Sequence, residues 1–360
     1  MLVVVLIAAI VAAACGGSGS PTQDQSPSKS HRNRTPSTEP SGGGSIPPSG
    51  GNSGGNALPL GAFSTTSAAG RCPSGEHCQG FQVTCPGVRQ PASGTLAIGE
   101  PAGTPRGLVV LFSGGKGTGF LGTENPTAMA GFLSDLHQSG LKTVRVAWQT
   151  PWLFSAPGEQ IGPTLLGCRP STAVKWVHDN LYVSLGVHPA VGACGFCVAG
   201  DSGGSSEAAF PLVDYGLDSI INAALLIAGP VHTGMAPGCL HQGSNNGLWY
   251  TGFSAPIIDG SYGFFGNGPC QSHNPAYTSK WQADSLDTGG RDFVYPTTRV
   301  VFIFGANDGS AGPPHGRLLL AKLQVAKTPM ASSETVAGMG HLVANSPSGL
   351  SALKAALLAA

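Results

Sequence analysis

The sequence predicts an α/β fold: a mostly parallel, doubly wound sheet flanked by helices, carrying one lid-like insertion. Three observations lead there. Apolar segments of strand length alternate with amphipathic segments of helix length from about residue 95 to the C-terminus. One of them, Leu108-Val109-Val110-Leu111-Phe112, is an unbroken apolar run between Gly107 and Gly114, as a strand buried on both faces requires. Residues 230–297 break the rhythm, being rich in Gly, Pro and aromatic residues without a convincing strand.

In chain order, Thr95 to Ile98 reads as a strand and a Gly/Pro turn separates it from the 108–112 strand. A helix is expected over 126–138, where Ala128, Phe132 and Leu136 share a face. Leu141 to Trp148 is the next strand. A helix over 170–182 should open at Pro170 and turn Val174, Val177 and Leu181 inward. Val191 to Ala199 reads as a strand, Ser205 to Val213 as a helix, and 219–228 and 299–305 as strands. Helices at about 315–326 and 347–359 flank a short segment at 332–337.

The N-terminal part is different in kind. Residues 2–14 are uninterrupted apolar residues, too few to span a bilayer comfortably, and they end in Ala13-Ala14-Cys15-Gly16. This resembles a bacterial lipoprotein signal, which implies removal of the leader, lipid on Cys15 and export to the outer face of a cell membrane. Plain secretion is the alternative. Residues 16–66 are dominated by Gly, Ser, Pro, Thr and Asn and are expected to form a disordered tether. Residues 67–360 then make one large domain. The chain has 18 basic and 18 acidic residues, and only 10% of it is charged, with no basic stripe to suggest nucleic acid.

Cysteine usage agrees with export. Besides Cys15 there are eight, Cys72, Cys78, Cys85, Cys168, Cys194, Cys197, Cys239 and Cys270, enough for four disulfides. Cys239 and Cys270 bracket part of the insertion and could staple it. Two other uses compete: a redox dithiol at Cys194-Gly195-Phe196-Cys197, and a zinc site from Cys72, His77, Cys78 and Cys85.

Gly200-Asp201-Ser202-Gly203-Gly204 matches G-x-S-x-G. With 55 glycines in 360 residues such a match is expected about once by chance, and Gly51-Asn52-Ser53-Gly54-Gly55 in the tether matches equally well. Context separates them. The match at Ser202 follows an apolar strand and precedes a helix, the setting in which a serine hydroxyl is thrust out above a sheet. A hydroxyl needs a base, and the base needs an orienting partner. Among the downstream acids Asp214, Asp218, Asp259, Asp284, Asp287, Asp292 and Asp308, only Asp308 directly follows a strong strand. His341, in Gly338-Met339-Gly340-His341, comes 33 residues after Asp308. His232, His241 and His273 precede Asp308, and His315 follows it too closely, in a Pro-Pro-His-Gly turn.

These segments, in this order, resemble the α/β-hydrolase family over about residues 95–345. The resemblance implies Ser202 as nucleophile, His341 as general base and Asp308 as its orienting acid. It also implies an oxyanion hole from the backbone N–H of Gly203 and of Gly114 or Gly115. The loop carries Ser113 where lipase-like relatives begin with His. The activity implied is hydrolysis of small-molecule or polymeric carboxylic esters through an acyl-enzyme, without metal or organic cofactor. A peptidase on the same fold and a non-catalytic binding scaffold are the alternatives. In blander readings Ser202 is a turn residue, Asp308 caps a strand and His341 is structural. Trp249, Tyr250, Tyr262, Phe264 and Phe265 are candidates to line an acyl pocket, though packing of the insertion would explain them as well.

Overall fold

The computed structural model describes residues 57–68, 70–244 and 246–359. The leader, Cys15, most of the tether and the second G-x-S-x-G match lie outside the described residues. The strands are β1 (Ala62–Thr66), β2 (His77–Cys85), β3 (Val88–Gly99), β4 (Gly107–Phe112), β5 (Leu141–Trp148), β6 (Phe196–Asp201), β7 (Ala223–Ile227), β8 (Arg299–Gly305) and β9 (Ala331–Val336). The helices are α1 (Pro126–Gln138), α2 (Pro163–Leu166), α3 (Cys168–Val177), α4 (Gly203–Val213), α5 (Met235–Leu240), α6 (Ala255–Ser261), α7 (Thr278–Asp284), α8 (Gly312–Val325) and α9 (Pro347–Leu358).

Among the described residues, the nine strands join one sheet in the order β1-β2-β3-β5-β4-β6-β7-β8-β9. The first three form an antiparallel meander, β3 pairs antiparallel with β5, and every pairing from β5 through β9 is parallel. This is the α/β-hydrolase topology, with a meander at one edge and a parallel half at the other.

The side-chain period of two sorts each central strand between two cores. Leu108, Val110 and Phe112 of β4 pack on one face with α3, α4 and α8. Val109 and Leu111 pack on the other with α1 and α9. Every residue of β4, β6 and β7 is buried, which is why these strands read as continuous apolar runs. The insertion holds α5, α6 and α7 and, among its described residues, no strand, and has its own small core around Met235, Tyr250, Tyr262 and Trp281.

The strand expected over 95–98 is longer, Val88–Gly99, and that expected over 219–228 is shorter, Ala223–Ile227; four further departures bear on the packing. The ordered chain begins before residue 67: Leu58 N–H donates to Asp214 O at 2.8 Å, and Phe63 of β1 stacks between Phe81 and Trp176 at 5.1 and 4.4 Å. Tertiary aromatic contacts thus order a segment whose own composition is that of a linker. The helix expected to open at Pro170 starts at Cys168 and gives way after Val177 to a π-helical turn, His178–Tyr182. The strand expected from Val191 starts at Phe196, since 191–195 form a turn in which Val191 is 69% exposed. The fourth is β2, whose alternation of inward Phe81, Val83 and Cys85 with outward Gln82 and Thr84 went unread.

The eight cysteines pair as Cys72–Cys78, Cys85–Cys168, Cys194–Cys197 and Cys239–Cys270. The last staples the insertion. The zinc alternative fails because its three cysteines are taken by disulfides. The redox alternative fails because Cys194 and Cys197 are both buried and Cys197 lies within β6, so neither offers the accessible thiol at a helix N-terminus that exchange requires. Cys85–Cys168 closes a separation of 83 residues between β2 and α3. Replacing both of its cysteines by Ser should lower the unfolding free energy by about 2–4 kcal/mol in urea titration. An unchanged midpoint and slope would refute that anchoring role.

Candidate active site

Three strand ends on the carboxyl side of the parallel half converge. Ser202 stands between β6 and α4 with φ 54° and ψ −116°, a conformation that L-residues other than glycine rarely adopt. Its N–H donates to Ile227 O of β7 at 2.8 Å, and its carbonyl accepts from Ser205 N–H at 3.1 Å and from the Ser205 hydroxyl. The flanking glycines permit the turn. A Cβ on Gly200 would strike Gly204 O, and one on Gly204 would lie 2.6 Å from the carbonyl oxygens of Phe112 and Ser113.

Asp308 follows β8 and His341 follows β9. His341 Nε2 lies 2.9 Å from Ser202 Oγ, and its Nδ1 lies 3.0 Å from Asp308 Oδ2. Ser202, Asp308 and His341, singled out from the sequence, are therefore brought together by hydrogen bonds. The sequence reading missed Ser310, whose hydroxyl also sits 3.0 Å from His341 Nδ1 while its N–H donates to Asp308 Oδ1 at 2.9 Å. Its only signal was position, two residues past the acid. Asp201, inside the motif, was missed as well: its Oδ2 accepts the Val343 N–H at 3.0 Å and so ties the serine turn to the histidine loop.

The electrostatics follow from this packing. Burial pushes the Asp308 carboxyl up, but hydrogen bonds from His341 and Ser310 outweigh it and hold the group below its ordinary range. The hydrogen bond to Asp308 raises His341 above its ordinary 6.5, against a smaller lowering by burial. Asp201 is pushed by burial to about 7.

Gly115, Ser202, Gly203 and His341 line a cavity of about 180 Å³ together with Val231, Tyr250, Ile257 and Ile258. A Cβ on Gly203 would lie 2.9 Å from Gly115 N, so the two backbones are in contact. Gly114 lies instead in a neighbouring cleft that also touches Ser202. Ser113 donates its hydroxyl to Gly119 O and closes the 113–119 loop on itself. Of the five aromatic residues proposed for an acyl pocket, only Tyr250 lines the cavity. Trp249 stacks on His241, Phe265 meets Phe154 edge-to-face, Tyr262 hydrogen-bonds Asp284, and Phe264 packs on the core of the insertion. Phe253, 75% exposed at the mouth, was not foreseen. His315 is buried between the carbonyls of Thr233 and Leu248, away from Ser202.

No family model matches the chain, and no curated protein matches its sequence. Solved structures do resemble it. An esterase from Pyrobaculum calidifontis is 18% identical over 83% of this chain and 85% of that one, with a TM-score of 0.49. A thermostable esterase from Pseudomonas putida is 16% identical over 79% and 82%, with a TM-score of 0.46. A puromycin-hydrolyzing peptidase from Mycobacterium tuberculosis is 13% identical over 79% of this chain and 39% of its own, with a TM-score of 0.49. At these identities the chemistry of Ser202 has to be argued from its own surroundings.

The serine turn allows a sharp test. Gly200→Ala should destabilise the protein by about 1–3 kcal/mol, because the added Cβ meets main-chain atoms of Gly204 and Ser205 and no rotamer relieves it. Thermal unfolding at the wild-type midpoint would show that the turn is looser than described.

Proposed function

We propose that the chain is a serine hydrolase that cleaves carboxylic esters through an acyl-enzyme. The observation that carries the reading is the single imidazole hydrogen-bonded to Ser202 Oγ on one side and Asp308 on the other. In this reading His341 Nε2 takes the hydroxyl proton as Oγ attacks the ester carbonyl carbon. The carbonyl oxygen becomes an oxyanion facing the N–H groups of Gly203 and Gly115, neither of which has an acceptor among the described residues. The tetrahedral adduct collapses, His341 returns the proton to the departing alcohol oxygen, and the acyl group stays on Ser202. Water then attacks the acyl carbon, giving its proton to His341, and Ser202 recovers that proton as the carboxylic acid leaves. Asp308 holds the imidazole with Nε2 toward the serine and stabilises the imidazolium. No step calls on a metal or organic cofactor. Val231, Ile257 and Ile258 in the cavity wall suit an uncharged acyl chain.

Labelling of the active serine tests this. A fluorophosphonate should label the wild-type protein and leave Ser202→Ala unlabelled. Its rate should climb as pH rises through a value above 6.5, because only neutral His341 can accept the proton. In Asp308→Asn the labelling rate should fall by about 10³–10⁴ and the pH limb move down, since the hydrogen bond that raises His341 loses its charge. A folded wild type that never labels would instead support a binding scaffold.

For its location we propose export and anchoring through lipid on Cys15. Cys15→Ser should shift the expressed protein from the membrane pellet to the soluble exported fraction. Equal pelleting of both forms would refute the anchor.

A further inference from the structure

The imidazole that faces Ser202 has two partners on its far side. Asp308 Oδ2 lies 3.0 Å from His341 Nδ1, and Ser310 Oγ lies 3.0 Å from the same nitrogen. Ser310 stands between β8 and α8 and borders the cavity beside Ser202. It is held from two sides. Its N–H donates to Asp308 Oδ1 at 2.9 Å, and its Oγ accepts the Gly312 N–H at 3.1 Å.

Which atom donates at Nδ1 follows from the chemistry at the other ring nitrogen. A base that takes the Ser202 proton must offer a lone pair at Nε2, which lies 2.9 Å from Ser202 Oγ. A neutral His341 in that role therefore carries its proton on Nδ1. Nδ1–H is the donor, and the Asp308 carboxylate and the Ser310 hydroxyl oxygen are both acceptors for it. The Gly312 bond uses one lone pair of Ser310 Oγ and leaves the other for Nδ1–H. The carboxylate is the stronger acceptor because it is charged. A hydroxyl oxygen at the same distance still favours the tautomer that works. The bonds to Asp308 Oδ1 and from Gly312 N–H also brace the turn, but bracing is indifferent to where the imidazole carries its proton.

We propose that Ser310 is a positioning residue for His341, a second acceptor for Nδ1–H that keeps Nε2 open toward Ser202 when the carboxylate is removed. The inference rests on Ser202 and His341 being nucleophile and base. With Asp308 in place the charged acceptor dominates and the hydroxyl adds a modest share. Without it, Ser310 Oγ is the acceptor left at Nδ1 among the described residues. Loss of both leaves the proton free to move to Nε2, where it blocks transfer from Ser202.

The test is a double-mutant cycle on fluorophosphonate labelling of the full chain, with His341→Ala as the rate without a base. Ser310→Ala alone should slow labelling about threefold. Asp308→Ala should label about tenfold or more faster than His341→Ala, and Asp308→Ala/Ser310→Ala should fall to the His341→Ala rate. NMR of the histidine ring nitrogens at alkaline pH should show His341 protonated at Nδ1 in Asp308→Ala and shifted toward Nε2 in the double variant. Bracing of the turn would not produce that change. Should Asp308→Ala not fold, Asp308→Asn takes its place in the cycle. An amide whose oxygen keeps the Ser310 N–H turns its NH2 to Nδ1 and leaves the same acceptor. An equal fold-loss from Ser310→Ala in both backgrounds overturns the role of Ser310 alone. So does an Asp308→Ala rate no higher than that of His341→Ala, or Nε2 protonation in Asp308→Ala. A wild type that labels no faster than Ser202→Ala overturns the nucleophile reading and this inference with it.

Discussion

The site depends on one backbone constraint, the positive φ of Ser202 at the junction of β6 and α4. Such a conformation costs on the order of 1–3 kcal/mol and survives only where neighbours over-determine it. Here β7 holds the Ser202 N–H, and the Ser205 amide and hydroxyl hold its carbonyl. Gly204 packs against the end of β4 so closely that even a methyl group is excluded. The same contact brings the 113–119 loop beside Gly203. The turn that raises the hydroxyl therefore also positions the amides that would meet an oxyanion.

The loops around this turn are pinned by buried polar groups rather than by additional core. Gly117 O accepts the Trp148 N–H at 2.8 Å, and the Trp148 indole donates to Glu207 Oε2 at 2.6 Å. Burial raises Glu207 well above its ordinary range, opposed by the hydrogen bond from the Trp148 indole, so its charged form is disfavoured beneath the loop. Asp201 does the corresponding work on the other side, through the Val343 amide. In a chain with few charges, several of the acidic groups thus serve as buried hydrogen-bond acceptors close to Ser202.

What was legible in the sequence follows the strength of the local signal. The limits of α1 and β5 were readable to the residue, because Pro126 and Gly140 punctuate clean periodicities. Ser202, Asp308 and His341 were readable because the fold fixes their order and each follows a strand. Residues 57–66 were not, since Phe63 is their single aromatic anchor and its partners Phe81 and Trp176 are far away in sequence. Ser310 and Asp201 were invisible for a related reason. Their significance lies in what they touch across the fold, and no spacing rule encodes that.

The packing behind His232, a residue of the cavity lining, shows how distant parts of the chain combine. Trp152, which packs on His232, belongs to a loop held by Arg169 of α3, a guanidinium fully buried with Nη1 2.7 Å from Trp152 O and 2.8 Å from Phe154 O. Its Nη2 reaches Gln90 O of β3 at 2.9 Å. Burial lowers its pKa only to about 10, so it remains a cation at neutral pH and binds these carbonyls as such. The start of α3 is fixed in turn by the Cys85–Cys168 disulfide, one residue before the arginine. A covalent link at the meander edge, one buried cation and an aromatic contact therefore form a continuous support from the periphery of the sheet to the cavity. Lysine could not replace Arg169, because a single ammonium cannot reach carbonyls on both sides of the planar fork.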